Sequence, residues 1–283
     1  MTADLLPLTL SELDRAELPD LVPRMLRARR FTDLQLPSLP AREHRRRMRL
    51  IEQYDACGGL PGACFIRNSR LRTQKILDQL ETILDRDLRQ IHDTTLRLPE
   101  LMRLLRELSL ADGSTANYQQ LRRATGITPI TQKKLLFALE ATFIIRPCPI
   151  EGDYQGSALF FEDHAEAAVL AQDRLSVEQR WAGLILRNLR EQISYRLGEN
   201  AESFQYRTRA GVVVPFAYRT SDSVLGFIPI RGSISRSARA AAHSFLRRYA
   251  GGKVAIVTDS DDTQVLDERT MLVPVTRLLF PWP

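Results

Sequence analysis

The sequence predicts an α+β protein: a helical N-terminal region over residues 1–98, a winged helix-turn-helix over 99–162, and an α/β core over 163–283. Three observations lead there. Apolar residues recur at helical spacing through most of the first 142 positions. Two of those helical stretches flank a tight glycine turn and lead into two short apolar runs. Beyond residue 200 the pattern shortens to runs of β-branched and aromatic residues, broken by one basic helix.

The elements follow in order. Thr9 or Ser11 caps a short helix, with Glu12 and Asp14 in the first turn, where a carboxylate meets the helix dipole favourably. Pro37 and Pro40 mark a break before a basic helix over Ala41–Cys57. Its Arg45-Arg46-Arg47 run reads as a solvated face, with Met48, Ile51 and Tyr54 on the packing side. Gly58-Gly59-Leu60-Pro61-Gly62 is a rigid turn. One long amphipathic helix then spans Ser69–Asp93, its stripe formed by Leu71, Ile76, Leu80, Ile83, Leu84, Leu88 and Ile91.

Pro99 opens the next unit. Leu101–Leu110 is its first helix and Asn117–Thr125 its second. Gly126 turns the chain, Thr128 caps, Pro129 takes the first helical position, and the third helix runs through Ile130–Thr142. Residues 143–145 and Ala158–Phe161 pair as strands, which completes a winged helix-turn-helix pattern. A helix from Ser176 to Leu197 is followed by strands at Ser203–Thr208, Val212–Tyr218 and Val224–Ile230. A helix over Ser235–Tyr249, a strand at Val254–Thr258 and a last strand leading to Val273 complete the α/β layer.

Composition bounds the function. The 283 residues, 44% hydrophobic and 26% charged, describe a soluble globular chain with room for two or three cores. A net charge of +6 leans toward a polyanionic partner. Residues 101–150 hold seven basic and three acidic groups, most of the excess. Residues 211–253 add Arg219, Arg231, Arg236, Arg239, Arg247, Arg248 and Lys253 against Asp222 alone. Asp259, Asp261, Asp262, Asp267 and Glu268 follow as an acidic loop that balances them. Cys57, Cys64 and Cys148 lack CxxC spacing and read as reduced thiols, and no secretory or membrane segment is expected, so the location predicted is cytoplasmic. His44, His92, His164 and His243 stand apart, as surface or capped histidines do.

Several motifs together resemble a known family. They are Leu6-Pro7-Leu8-Thr9-Leu10-Ser11-Glu12-Leu13, Gly58-Gly59-Leu60-Pro61, Ile83-Leu84-Asp85-Arg86-Asp87-Leu88, the helix-turn-helix over Leu121–Leu139, and Phe160-Phe161-Glu162-Asp163. Their order and spacing resemble the C-terminal region of prokaryotic AAA-type ATPases, a domain of unknown function that joins a winged helix to a restriction-endonuclease-like domain. The segments Arg207–Phe216 and Leu225–Ser233, followed by a basic helix, are similar to that nuclease-like core. The resemblance implies strands whose carboxylates and lysine hold Mg²⁺. Here the equivalent positions carry Val213, Pro215, Pro229 and Arg231, and after Gly183 the helix keeps Asn188 but has Arg187 for the family's acid. A hard divalent cation needs oxygen ligands, and metal-assisted hydrolysis cannot begin without them. The motor is missing as well: Gly251-Gly252-Lys253 lacks the first glycine and the hydroxyl residue of a phosphate-binding loop. A fragment of a longer ATPase and a natural gene without its motor are both compatible with this.

The expected function is therefore a non-catalytic DNA- or protein-binding module with no cofactor and no membrane partner. Thr131, Gln132, Lys133 and Lys134 fall at the N-terminal end of the expected recognition helix. Arg122 and Arg123 stand ready for the backbone and Arg146 lies near the wing, with Arg236 and Arg239 on the later basic helix as further contacts. The partner is DNA, an ATPase or another protein. One alternative is a metal-dependent nuclease with relocated acids, Asp153, Glu162 or Asp163. The other is a structural or oligomerisation component without nucleic acid. The bland reading of Asp163 is a cap for a helix over Ala165–Gln172.

Overall fold

The computed structural model describes residues 6–172, 174–198 and 201–282. In chain order the helices are α1 (Leu10–Leu13), α2 (Leu21–Arg27), α3 (Ala41–Cys57), α4 (Ser69–Thr82), α5 (Leu88–Ile91) and α6 (Leu98–Leu110). They continue as α7 (Tyr118–Thr125), α8 (Pro129–Ala141), α9 (His164–Ala171), α10 (Val177–Leu197), α11 (Arg236–Arg248) and α12 (Val275–Leu278). The strands are β1 (Ile145–Gly152), β2 (Ser157–Phe161), β3 (Glu202–Arg207) and β4 (Val213–Arg219). They continue as β5 (Val224–Pro229), β6 (Lys253–Thr258), β7 (Gln264–Val265) and β8 (Thr270–Pro274). The protein is thus a mixed α+β chain, helical first and then built on a mixed sheet.

Two compact units form. One holds Leu6, Pro7 and residues 55–148 and 157–183; the other holds residues 8–54, 149–156 and 184–283. This grouping cuts across the linear partition at 98 and 162, because specific bonds tie distant segments together. In the second unit the Leu10 amide donates to Asn188 Oδ1 at 2.9 Å, and the Tyr54 hydroxyl donates to the Leu8 carbonyl at 2.8 Å.

The helical unit packs Ile76, Leu80, Leu84, Leu88, Leu105 and Leu139 into one buried core. The long helix expected over Ser69–Asp93 is interrupted: a π-turn at Ile83–Asp87 separates α4 from α5. The reason is periodicity. Ile76, Leu80, Leu84 and Leu88 recur every four residues, more than the 3.6 of an α-helix, and the wider turn keeps all four buried. Asn117, expected as the first residue of α7, is instead its cap; Gly126 ends the helix at φ 78° and Thr128 caps α8 by accepting from the Thr131 amide, both as the sequence indicates.

In the second unit the strand order is β1-β3-β4-β5-β6-β8-β7. β3, β4 and β5 are antiparallel neighbours, whereas β5, β6 and β8 run parallel. α11 closes one face with Ala238, Ala241, Ala242 and Phe245 against Phe204, Tyr206, Val214 and Ile256. Phe245 approaches so closely that a Cβ on Gly226 would meet its ring at 3.1 Å.

Two expectations need correction here. Arg47 is not on a solvated face: it is buried, donating to the Thr276 carbonyl at 2.9 Å and the Pro281 carbonyl at 3.1 Å, with Glu43 beside it at 2.8 Å. Likewise His164 is buried, and His44 shares a hydrogen bond with the Thr276 hydroxyl at 2.9 Å. Among the described residues no helix is long and apolar enough to cross a membrane.

Candidate nucleic-acid interface

α7 and α8 bring four cations of the helical unit to the surface: Arg122, Arg123, Lys133 and Lys134 are all exposed. The remaining residues expected there behave differently. Gln132 is fully buried, its Nε2 donating to the Ile127 carbonyl at 2.8 Å, so it does not reach a ligand on this face. Its position explains this, since residues 132, 135, 136 and 139 share the inner stripe of α8. Thr131 shares a hydrogen bond with the Thr128 hydroxyl at 3.0 Å. Arg146 is half-buried and held by Glu162 at 3.2 and 3.4 Å. What remains on this face is the charge of Arg122, Arg123, Lys133 and Lys134.

Two large apolar side chains share it. Ile130 is 73% exposed and Phe137 is 69% exposed, seven residues apart on the outer stripe of α8. The sequence held this signal: α8 carries a second apolar series, at Ile130, Phe137 and Ala141, beside the series that fills the core.

The second unit presents a cleaner basic surface. With Ala238, Ala241, Ala242 and Phe245 buried, the opposite stripe of α11 shows Arg236, Arg239, His243 and Arg247 to solvent. Three of the five acids expected to balance it are engaged elsewhere. Asp259 accepts from the Gly232 amide at 2.8 Å and pairs with Arg231 at 3.4 Å. Glu268 pairs with Arg30 at 3.0 Å, and Asp267 accepts from the Arg269 amide at 2.8 Å. The side chains of Arg236, Arg239 and Arg247 make no hydrogen bond or ion pair among the described residues.

Of the four strand positions that the resemblance assigns to a hydrolytic centre, only Arg231 is charged, and it pairs with Asp259. Val213, Pro215 and Pro229 are half-buried and lie on the sheet face opposite Val214 and Ile228, which pack under α11. The Pro215 carbonyl accepts from the neutral Gln205 amide at 3.4 Å. Among the described residues no group of three or more His, Cys, Asp or Glu side chains is placed to hold a metal.

The three alternative acids each do a local job. Asp153 accepts from the Arg209 amide at 3.0 Å, and Glu162 holds Arg146. Asp163 caps α9 through the Ala165 amide at 2.7 Å and also accepts from the Gly59 amide at 2.6 Å. Gly58, at φ 69°, presses so close that a Cβ there would lie 2.2 Å from Asp163 Oδ1. The glycine turn and the strand-end aspartate, 104 residues apart, are thus the two halves of one fastener. Cys57 beside them has its thiol pushed up to about 11, chiefly by burial and then by nearby Cys64.

Residues 48–150 match a domain of unknown function (DUF8612), a stretch that takes in α4 through α8 and falls short of half the chain. No curated protein and no solved structure matches the chain.

Proposed function

We propose that the chain is a non-catalytic module that binds the phosphate backbone of nucleic acid with little regard to sequence. The observation that carries this reading is the outer stripe of α11, where Arg236, Arg239 and Arg247 stand exposed, without ion pairs among the described residues, on a rigidly packed helix. Guanidinium forks fit phosphate oxygens two at a time, and cations that are not already paired gain most from a polyanion. The order α6, α7, α8, β1, β2 supports a winged helix-turn-helix, with Lys133 and Lys134 adding charge. The basic helix following β4 and β5 supports a degenerate restriction-endonuclease-like core related to the tail of AAA-type ATPases. Residues Val213, Pro215, Pro229 and Arg231 supply no carboxylate for Mg²⁺. Such a module works in the cytosol.

The test is retention of a labelled DNA duplex as salt is raised. Each phosphate contact contributes about −0.9 to the slope of log affinity against log salt. Replacing Arg236, Arg239 and Arg247 by Gln reduces the magnitude of that slope by about 2–3. Lys133→Glu with Lys134→Glu weakens retention further. A duplex that is not retained even at low salt overturns the reading. Plasmid cleavage with Mg²⁺ or Mn²⁺, abolished by chelation, replaces it with the nuclease alternative.

A second reading has its own observation. Exposed Ile130 and Phe137 beside Lys133 and Lys134 suit an acidic, amphipathic protein partner such as an ATPase subunit. Retention of DNA unchanged by the Lys133 and Lys134 substitutions favours that role for α8.

A further inference from the structure

A cleft of about 820 Å³ lies in the second unit at the end of the sheet where β5, β6 and β8 begin. It is remote along β5 from Pro229, and its residues belong neither to α11 nor to α8. Three stretches line it: Arg27–Arg30 at the end of α2, Thr220–Ser223 between β4 and β5, and Ala250, Gly251 and Lys253 at the start of β6, joined by Glu268 and Arg269.

Lys253 organises the cleft. Its side chain is buried, and its ammonium donates to the Leu26 carbonyl at 3.1 Å and to the Ala28 carbonyl, which anchors the loop carrying Arg27, Arg29 and Arg30. No carboxylate pairs with it among the described residues, and burial holds its pKa below the ordinary lysine range. A third ammonium proton remains beyond those two carbonyls. Arg30 is matched by Glu268 at 3.0 Å, and Arg269 donates to the Ala250 carbonyl at 3.0 Å. Arg27 and Arg29 are exposed and their side chains make no hydrogen bond or ion pair among the described residues. The lining therefore sets five cations, Arg27, Arg29, Arg30, Lys253 and Arg269, against Asp222 and Glu268. Pro23, Leu26 and Leu197 add apolar side chains to the lining.

We propose that this cleft binds a small phosphorylated molecule, with Arg27 and Arg29 forking its phosphate and Pro23, Leu26 and Leu197 covering its uncharged body. A surplus of cations calls for a ligand with more than one negative charge, and planar guanidinium pairs select phosphate geometry. The volume falls in the range of small-molecule sites. Asp222 and Glu268 at the lining repel a polyanion that continues past the cleft, which distinguishes this site from the open stripe of α11.

Calorimetric titration of the full chain with inorganic pyrophosphate and with adenosine diphosphate tests the assignment. Both saturate at one per chain, the nucleotide more tightly because it also covers the apolar side chains. Arg27→Gln combined with Arg29→Gln, both at exposed positions, weakens the two probes by about tenfold or more while the melting temperature stays put. Arg236→Gln with Arg239→Gln leaves both affinities unchanged, so failure here and failure of nucleic-acid binding are read separately. Absence of saturation by either probe at millimolar concentration overturns the proposal. So does full affinity in the Arg27 and Arg29 double variant.

Discussion

Gly58 shows how much a single hydrogen atom in place of a side chain can decide. Its positive φ and its approach to Asp163 leave no room for a Cβ, so Gly58→Ala is expected to destabilise the helical unit by about 2–4 kcal/mol. The drop is measured by chemical denaturation; a change under about 0.5 kcal/mol rejects the fastener. The Asp163 cap was legible, since an aspartate at a strand end before a helix pattern is a local signal. Its bond to Gly59 was not, because nothing local links them. Glu43 supplies a second test at this scale. The Arg46 guanidinium, then Arg47, hold its carboxyl down to about 2 against the ordinary 4.5, despite the opposing effect of burial. Its stabilisation is complete above pH 4.5 and is lost as pH falls toward 2. Glu43→Gln should therefore cost about 1–2 kcal/mol at neutral pH, allowing for solvent screening, and almost nothing near pH 2. An equal cost at both pH values contradicts the assignment.

At the scale of elements, α8 and α11 are opposites. α11 buries one face and charges the other, a division plain in its sequence: Ala238, Ala241, Ala242 and Phe245 fall on one stripe and the arginines on another. α8 has apolar residues on both faces, and only packing shows that Leu135, Leu136 and Leu139 are inside while Ile130 and Phe137 are outside. Substitution separates the two. Phe245→Ala should lower stability by about 3–5 kcal/mol, since the ring is fully buried among Phe204, Tyr206 and Tyr249. Phe137→Ser should change stability by no more than about 0.5 kcal/mol. Thermal unfolding of the two variants checks both, and a large loss for Phe137→Ser places that ring in a core. The interrupted helix at Ile83–Asp87 follows the same logic, a spacing of four met by a wider turn.

For the whole molecule, net charge sets the expectation and pairing refines it. The balance of +6 is modest, yet Asp259, Asp267 and Glu268 are bonded to Gly232, Arg231, Arg30 and Arg269, and the stripe of Arg236, Arg239 and Arg247 stays uncompensated by direct contact among the described residues. Nucleic-acid affinity should therefore fall steeply between about 50 and 200 mM salt, more steeply for the wild type than for the triple α11 variant. Parallel salt curves for the two proteins would remove α11 from the interface. The cleft near Lys253 is also a property of the whole unit. Its arginines lie around residue 28 and near residue 269, and only the folded unit brings them to one lining.

The sequence by itself determined the α+β class, the caps at Thr128 and Asp163, the glycine turn at Gly126 and the basic character of α11. Each rests on φ, ψ and side-chain chemistry within a few residues, so local order carries the information. Only the tertiary structure decided that Gln132 and Arg47 are buried, that Asp163 clasps Gly59, where the acids of the 259–268 loop bond, and that a basic cleft surrounds Lys253. Those outcomes depend on contacts between segments far apart in the chain, and burial there follows from how the elements pack rather than from what any one of them contains.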